Sequence, residues 1–552
     1  MARSKARVYM CCSLILLCLV AIIVCIALLV RRRCPAGAYL SAAVAADSET
    51  CSEIARDILQ LGGSAVDGAI AALLCTAVIN PQSTGIGGGA IFTVMDHTGN
   101  VKVINSRETV PKVFRPDLLA ACPKTFQLVA GSQWIGVPGE IRGFELAHKL
   151  YGKLPWASLF QPTIKLARDG FPIPEVQGRY LKHTDTNQTL PLRKLFSDEH
   201  GNLLKTGDIV KFEKLADTLE IIANEGADAF YTGKIAEDLI RDIQEAGGTL
   251  TMEDLASFQA TVTDSWVFPL GEYQMHVPPP PAGGVFLSLI LNIMKGYELD
   301  STSLMGQQKV LTYHRYVEAF KFVNGLKKYI HDPNFSSEEM AKKFTQKSFA
   351  DHIRSLISDY KTHDPEYYNI TPHVDSMGTT HVSVLAEDGT AVSATSSINH
   401  IFGSKVFSSS TGVILNNQLS DFCKKTDHII AGERPPSSMS PAVLVSKSKT
   451  LVVGGTGGNM ITTGMASMLM NHLWLGKSLE EAIAAPVVYV DPGNALKFES
   501  KFDQAVVEAL KALGHIEEKA KYFYNVVNVV EKEDSCIYAV SDARKKGKAA
   551  GY

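Results

Sequence analysis

The chain has little net charge: over 552 residues the formal balance is −3 with histidine neutral. Such a weak field excludes the broad basic surface that a phosphate backbone demands. No basic stripe with interleaved aromatics and no nucleic-acid-reading motif occurs, so no nucleic-acid partner is expected. Metal motifs are missing as well. There is no HExxH and no paired CxxC, and the fifteen histidines are scattered. Neither a metal nor an organic cofactor is expected. Cysteine is too sparse for a disulfide-stapled mini-domain: ten residues, four of them (Cys11, Cys12, Cys18, Cys25) in or beside one apolar stretch. Six remain outside it, Cys34, Cys51, Cys75, Cys122, Cys423 and Cys536. No internal repeat occurs, and no linker divides the body of the chain. A dinucleotide fingerprint is also absent. Thr84-Gly85-Ile86-Gly87-Gly88-Gly89 lies between a helix pattern and a strand pattern, whereas that fold needs strand, glycines, then helix.

What is present begins with an uncharged run, Val8 to Val30. About 20 apolar residues span a bilayer as a helix. The run ends at Arg31-Arg32-Arg33 rather than at the small residues of a signal-peptidase site, which predicts an uncleaved anchor. The expected order is a cytoplasmic tail (1–7), a transmembrane span (8–30) and a stalk (31–42). Arg3, Lys5 and Arg7 balance the three arginines after the span, so flanking charge gives no orientation. Three glycosylation sequons, at Asn187, Asn334 and Asn369, and the small N-terminal tail favour a type II protein of the cell membrane with its body outside.

Hydrophobic residues make up 46% and charged residues 20%, the balance of a globular body that can bury a large core. The pattern predicts a helix over 48–61 with Leu59 and Leu61 on its apolar side, and a buried helix over 65–80. Further helices are expected at 140–151, 159–169, 285–295, 460–475 and 479–485. Strands are expected at 90–95, 413–415, 442–445, 451–453, 487–490, 526–530 and 537–540. Residues 182–215, 332–345 and 361–377 read as irregular, and Pro278 to Pro281 as a rigid surface loop. Helices on both sides of strand-rich layers imply one large domain of α+β class.

The most informative segment is Gly378-Thr379-Thr380-His381, which opens the alternation Val382, Val384, Ala386. With a Glu387-Asp388-Gly389 turn and a second strand over 390–396 it forms a hairpin pattern. Cutting the bond before Thr379 would give that threonine a free α-amine beside its own hydroxyl. The amine, with a reference pKa of roughly 7.7–8.0, is a built-in general base. Downstream lie Ser396-Ser397-Ile398-Asn399, Asn416-Asn417-Gln418, Asp421, Ser437-Ser438 and Gly457-Gly458-Asn459. Together they supply hydroxyl donors, amide acceptors, a carboxylate and unobstructed backbone N–H groups. That set suits a zwitterionic amino acid and a tetrahedral intermediate.

Several separated motifs stand in a familiar order: Ser106-Arg107-Glu108, Gly136-Val137-Pro138-Gly139-Glu140, Gly378-Thr379-Thr380-His381, Ser437-Ser438-Met439, Gly457-Gly458, and Ser541-Asp542 through Gly551-Tyr552. On these the chain resembles the γ-glutamyltransferases, membrane-anchored N-terminal nucleophile hydrolases acting on glutathione and its S-conjugates. The resemblance runs from about Ala43 to Tyr552. It implies a four-layer αββα sandwich and a proenzyme that cuts itself between Gly378 and Thr379. The products would be a large subunit, 43–378, and a small subunit, 379–552, that stay associated. It implies Thr379 as nucleophile and Ser397 as support for its hydroxyl and amine, at a place where the family usually has threonine. Arg107, Ser437 and Ser438 would hold the substrate α-carboxylate. Asn399, Gln418 and Asp421 would hold the α-ammonium, and Gly457 and Gly458 the oxyanion. Cys51 and Cys75 would form a disulfide, while Cys34, Cys122, Cys423 and Cys536 stay unassigned and a second cysteine pair of some members is missing. Gln418 replaces a glutamate of some members, Met377 a frequent glycine, and His400 is expected on the acceptor side. The proline run, the Gly432–Pro436 loop and the positions of Cys423 and Cys536 resemble the branch associated with leukotriene C4. A processing-dead ectodomain with a binding role is the competing expectation.

Overall fold

The computed structural model describes residues 15–23, 34–123, 129–185, 190–371, 378–519 and 525–552. Before Gly378 the main strands are β1 (Ala43–Ala45), β2 (Gly89–Met95), β3 (Val101–Asn105), β4 (Thr261–Asp264), β5 (Trp266–Leu270) and β6 (Tyr273–Val277). After it come β7 (Thr380–Leu385), β8 (Ala391–Ser397), β9 (Ala442–Val445), β10 (Lys449–Thr456), β11 (Val526–Glu533), β12 (Cys536–Val540) and β13 (Ala549–Gly551). They form two sheets, ordered β13-β1-β7-β8-β2-β3-β4 and β12-β11-β10-β9-β6-β5. The expected hairpin is β7–β8, in register from Leu385 opposite Ala391 to Thr380 opposite Ser396.

Helices α1 (Glu49–Gln60), α2 (Ala65–Ile79) and α3 (Glu140–Tyr151) cover the outer face of the first sheet. Helices α4 (Gly284–Lys295) and α5 (Met460–Leu473) cover the outer face of the second, and the sheets face each other. The layers are therefore α, β, β, α. Helix α2 is apolar all round because it is buried all round. A capping box starts it: Ser64 Oγ accepts from Asp67 N–H at 3.1 Å, and Asp67 Oδ2 accepts from Ser64 N–H at 2.9 Å.

Alternation in β7 and β8 divides their side chains between two environments. Val382, Val384, Val392 and Ala394 join the core under α2. Ser383 and Ser393 face the other sheet, where their hydroxyls donate to Asn528 O (3.0 Å) and Val453 O (2.8 Å). The seam between the sheets is thus hydrogen-bonded near the start of β7. At the far end it becomes apolar, with Ala43, Ala45, Leu385, Val443, Val452 and Val530.

Some expectations need correction. Leu61 is 72% exposed, because α1 stops at Gln60 and Leu61 is its C-terminal cap. Pro278, Pro280 and Pro281 are buried, not a surface loop, since the run is wedged between β6 and α4. The stretches read as irregular contain short helices at Leu181–Thr184, Leu190–Leu195, Glu339–Phe344 and Pro365–Tyr368, too short for periodicity to reveal. Of the predicted span 8–30, residues 15–23 are helical and exposed, and the rest lie outside the described residues. No helix among the described residues is long and apolar enough to cross a membrane. Asn187 and Met377 also lie outside the described residues.

Candidate active site

Thr379 stands at the start of β7, between the two sheets, and is buried. Its backbone has φ of +81°, a true outlier for a β-branched residue. Its N–H donates to Ser83 O at 3.0 Å. Its Oγ1 lies 3.1 Å from Ser397 Oγ, at the end of β8. Ser397 Oγ also accepts from Asn399 N–H at 2.8 Å, which leaves the serine proton available to the threonine oxygen. The preceding residue must be glycine on grounds of space: a Cβ on Gly378 would sit 2.0 Å from Asn399 O.

A polar cavity opens on Thr379. Arg107, Ser397, Asn399, Gln418, Asp421, Ser437, Ser438 and Gly458 line it, so the structure gathers almost every residue singled out in the sequence. Gly457 stands next to the lining. Both glycines take positive φ (+112° and +59°) in the turn from β10 into α5, a conformation that aims successive N–H groups. Asn459, named with the glycines, also lines it, and the sequence reading missed Lys425 and Ile461.

The arginine of the cavity is tightly fixed. Arg107 is 1% exposed. Its Nε donates to Pro435 O at 2.7 Å, and its Nη2 to Asp421 Oδ2 at 2.6 Å and Pro436 O at 3.1 Å. Nη1 takes part in none of these bonds. Arg107 and Asp421, expected to hold opposite ends of one substrate, pair with each other here. The Gly432–Pro436 loop therefore has a physical role: its carbonyls fix the guanidinium. The proline run backs the same loop, since Ser437 N–H donates to Pro281 O at 2.8 Å. The glycine run at 87–89 serves close packing: a Cβ on Gly88 would meet Ser397 O at 2.2 Å, and one on Gly89 Ser106 O at 2.5 Å. Those glycines let the arginine segment and the end of β8 pack against the start of β2.

Beneath the cavity lie two buried carboxyls. Burial pushes Glu108 up to about 8, against the opposing pull of Arg107, and raises Glu140 well above the carboxylate range. Ser396 Oγ donates to Glu140 Oε1 at 2.7 Å. Gln418 Oε1 is buried with no hydrogen-bond partner among the described residues. An amide acceptor without a partner suits a ligand ammonium. Asn399 Nδ2 donates to Asn417 O and Ser420 Oγ (3.2 and 3.0 Å), which turns its own oxygen elsewhere.

On the other side of Thr379, the C-terminal motif reaches in. Lys545 Nζ donates to Thr379 O at 2.5 Å and to Asp47 Oδ2 at 2.8 Å. Asp47 also accepts from Thr380 Oγ1 and Asn528 Nδ2, each at 2.8 Å. Three chain segments, around Asp47, Asn528 and Lys545, thus fix the start of β7. The motif Ser541–Tyr552 signalled this, although no spacing rule ties it to residue 379. His400 does not line the cavity. It is buried, its Nδ1 accepts from Val129 N–H at 3.0 Å, and burial lowers its pKa to about 4. His381 is likewise held neutral, at about 3, between Thr395 and Ser383 hydroxyls.

Away from the cavity, His314, Glu318 and His515 come within 4.8 Å of one another. Their polar atoms already serve each other and their neighbours. His314 Nδ1 meets His515 Nε2 at 2.8 Å, His515 Nδ1 meets Lys321 Nζ at 3.0 Å, and Tyr368 OH donates to Glu318 Oε2 at 2.6 Å. The group is a satisfied buried network. Cys51 and Cys75 are bonded as expected. The cysteines left unassigned form Cys34–Cys536 and Cys122–Cys423.

Comparison with known proteins agrees with this geometry. The family model described as gamma-glutamyltranspeptidase matches residues 51–552. Glutathione hydrolase 5 proenzyme of Rattus norvegicus is 44% identical, covering 95% of this chain and 94% of its own. The protein of the same name from Homo sapiens is 43% identical, covering 96% of each. Among solved structures, cephalosporin acylase from Bacillus halodurans superposes with a TM-score of 0.84 at 24% identity, over 94% of this chain and 97% of that one, a likeness of fold. The family model and both relatives cover nearly the whole chain, and the chain belongs to the gamma-glutamyltranspeptidase family.

Proposed function

We propose that this protein is a γ-glutamyl hydrolase and transferase acting on glutathione and its S-conjugates, leukotriene C4 among them. The observation that carries this reading is Thr379 Oγ1 at 3.1 Å from Ser397 Oγ, in a cavity that also holds the Arg107–Asp421 pair.

Maturation comes first. Thr379 Oγ1 attacks the Gly378 carbonyl, and the acyl group passes from nitrogen to oxygen. Water then opens the ester, giving a Gly378 carboxylate and a free Thr379 amine. The cut leaves the body of the large subunit (43–378), still joined to the stalk that carries Cys34, and a small subunit (379–552), interleaved in both sheets: β1 lies between β13 and β7, and β9 pairs with β6. In the mature site, the Thr379 amine takes the proton of its own hydroxyl. The oxygen attacks the γ-carbonyl of the substrate. The N–H groups of Gly457 and Gly458 hold the oxyanion, and the amine returns the proton to the leaving cysteinylglycine or its conjugate. Water or an amino acid repeats the sequence in reverse.

Binding divides by charge. Arg107, Ser437 and Ser438 hold the α-carboxylate. Asp421, Gln418 and Asn399 hold the α-ammonium, so the substrate opens the Arg107–Asp421 pair and replaces each partner. Relatives named glutathione hydrolase proenzyme support the substrate and the processing. The anchor over 8–30, type II orientation and an extracellular body rest on the uncharged run and the sequons. Asn334 and Asn369 are exposed, as carbohydrate attachment needs.

Replacing Thr379 with Ala tests the whole reading. The variant is expected to remain one uncut chain and to release no product from glutathione. Turnover in that variant refutes the nucleophile, and an uncut wild-type chain favours the processing-dead ectodomain.

A further inference from the structure

Among the described residues, two of the three disulfides span the bond that maturation cuts. Cys34 and Cys122 lie before Gly378, and their partners Cys536 and Cys423 lie after Thr379. Cys51–Cys75 stays on one side. We propose that the large and small subunits of this protein remain covalently joined by two disulfides, and that Cys122–Cys423 is a positioning link for the substrate cavity. The proposal rests on the cleavage at Gly378–Thr379.

The second part follows from where Cys423 sits. It caps the short helix Gln418–Phe422, which carries Gln418 and Asp421 into the cavity. That helix is only five residues long, so propensity alone does not hold it. Two things outside it do. One is a small apolar cluster of Leu419, Phe422 and Cys423 with Val110, Leu118 and Trp134. The other is the bond to Cys122, at the C-terminal end of the turn Leu118–Ala121 in the large subunit. Before cleavage the chain limits how far these surfaces separate. After cleavage that covalent limit survives only through the disulfides. Cys34–Cys536 acts at a different place. It joins the stalk to β12, on the edge of the second sheet, and so ties the small subunit to whatever holds the N-terminus.

The first test needs no variant. Mature wild-type protein is alkylated, denatured in detergent and run with and without dithiothreitol. Each disulfide then becomes two thiols as the dithiol closes to its own disulfide. The expected result is one band at full-chain mass without reductant and two subunit bands with it. Two bands without reductant overturn the proposal. One band under both conditions overturns the cleavage on which it rests. The second test compares C122S/C423S with C34S/C536S, each pair removed together to leave no odd thiol. The first is expected to raise KM for glutathione roughly tenfold, with kcat changed less than about twofold, since only the binding turn loosens. The second is expected to keep both constants. Equal KM in the two variants, or a matching loss of kcat in C122S/C423S, refutes the positioning role.

Discussion

Replacing Gly378 with Ala separates making the enzyme from running it. A Cβ at residue 378 would lie 2.0 Å from Asn399 O and 3.1 Å from its carbonyl carbon. Asn399 has little freedom to retreat: its N–H is bonded to Ser397 Oγ, and its side chain to Asn417 O and Ser420 Oγ. The scissile peptide must therefore move by about 1 Å, and displacement of that size at a reacting centre costs about a hundredfold in rate. That corresponds to about 2.7 kcal/mol of barrier. The move also works against a strain of about 1–3 kcal/mol at Thr379, whose positive φ cleavage releases because no carbonyl then precedes its nitrogen. The assay is a time course of uncut precursor on reducing gels, beside steady-state turnover of the processed fraction. Processing is expected to slow by about a hundredfold. Turnover by the processed fraction is expected to match wild type, since residue 378 leaves the nucleophile when the bond breaks. Maturation at the wild-type rate would show that the reacting precursor does not hold Gly378 against Asn399, and the steric argument would fall.

Two more outcomes follow from the cavity. Arg107→Ala leaves the Asp421 carboxylate without its cation, and breaking a buried pair costs about 3–5 kcal/mol. Thermal unfolding should show R107A well below wild type and the double variant R107A/D421A above R107A. The KM of R107A for glutathione should rise by two orders of magnitude or more, roughly, and an unchanged KM removes Arg107 from the carboxylate site. Glu108 gives a pH signature. Its folded pKa of about 8 exceeds the ordinary 4.5, so the stability from its protonated form is complete below pH 4.5 and is lost as pH rises through 8. Across that window, E108Q is expected to gain in melting temperature relative to wild type, and parallel melting curves would contradict the buried, protonated carboxyl.

The elements legible in the sequence were those with a strong period or punctuation. Glu140–Tyr151 was bounded by its glycines, and the β7–β8 hairpin by alternation around Glu387-Asp388-Gly389. The misread pieces were decided by burial that no local pattern records. Four consecutive prolines look like a surface loop until β6 and α4 enclose them. His400 looks like a polar wall residue until Val129 N–H takes its ring nitrogen. Leu61 reads as one more apolar turn of a helix that has already ended.

By itself, the sequence marked Thr379 as the candidate nucleophile and showed the polar groups available to serve it. A threonine after glycine at a strand start, with Arg107, Asp421, Gln418 and paired serines in fixed order, offers donors and acceptors suited to a zwitterionic acyl donor. The tertiary structure alone decided how those groups meet. It paired Arg107 with Asp421, fixed Thr379 through Lys545 and Asp47, and joined Cys122 to Cys423 across 301 residues. Such partners are set by which strands lie side by side and which loops cover their ends. The local chain carries the periodicity of each strand and helix, but it does not carry that neighbourhood.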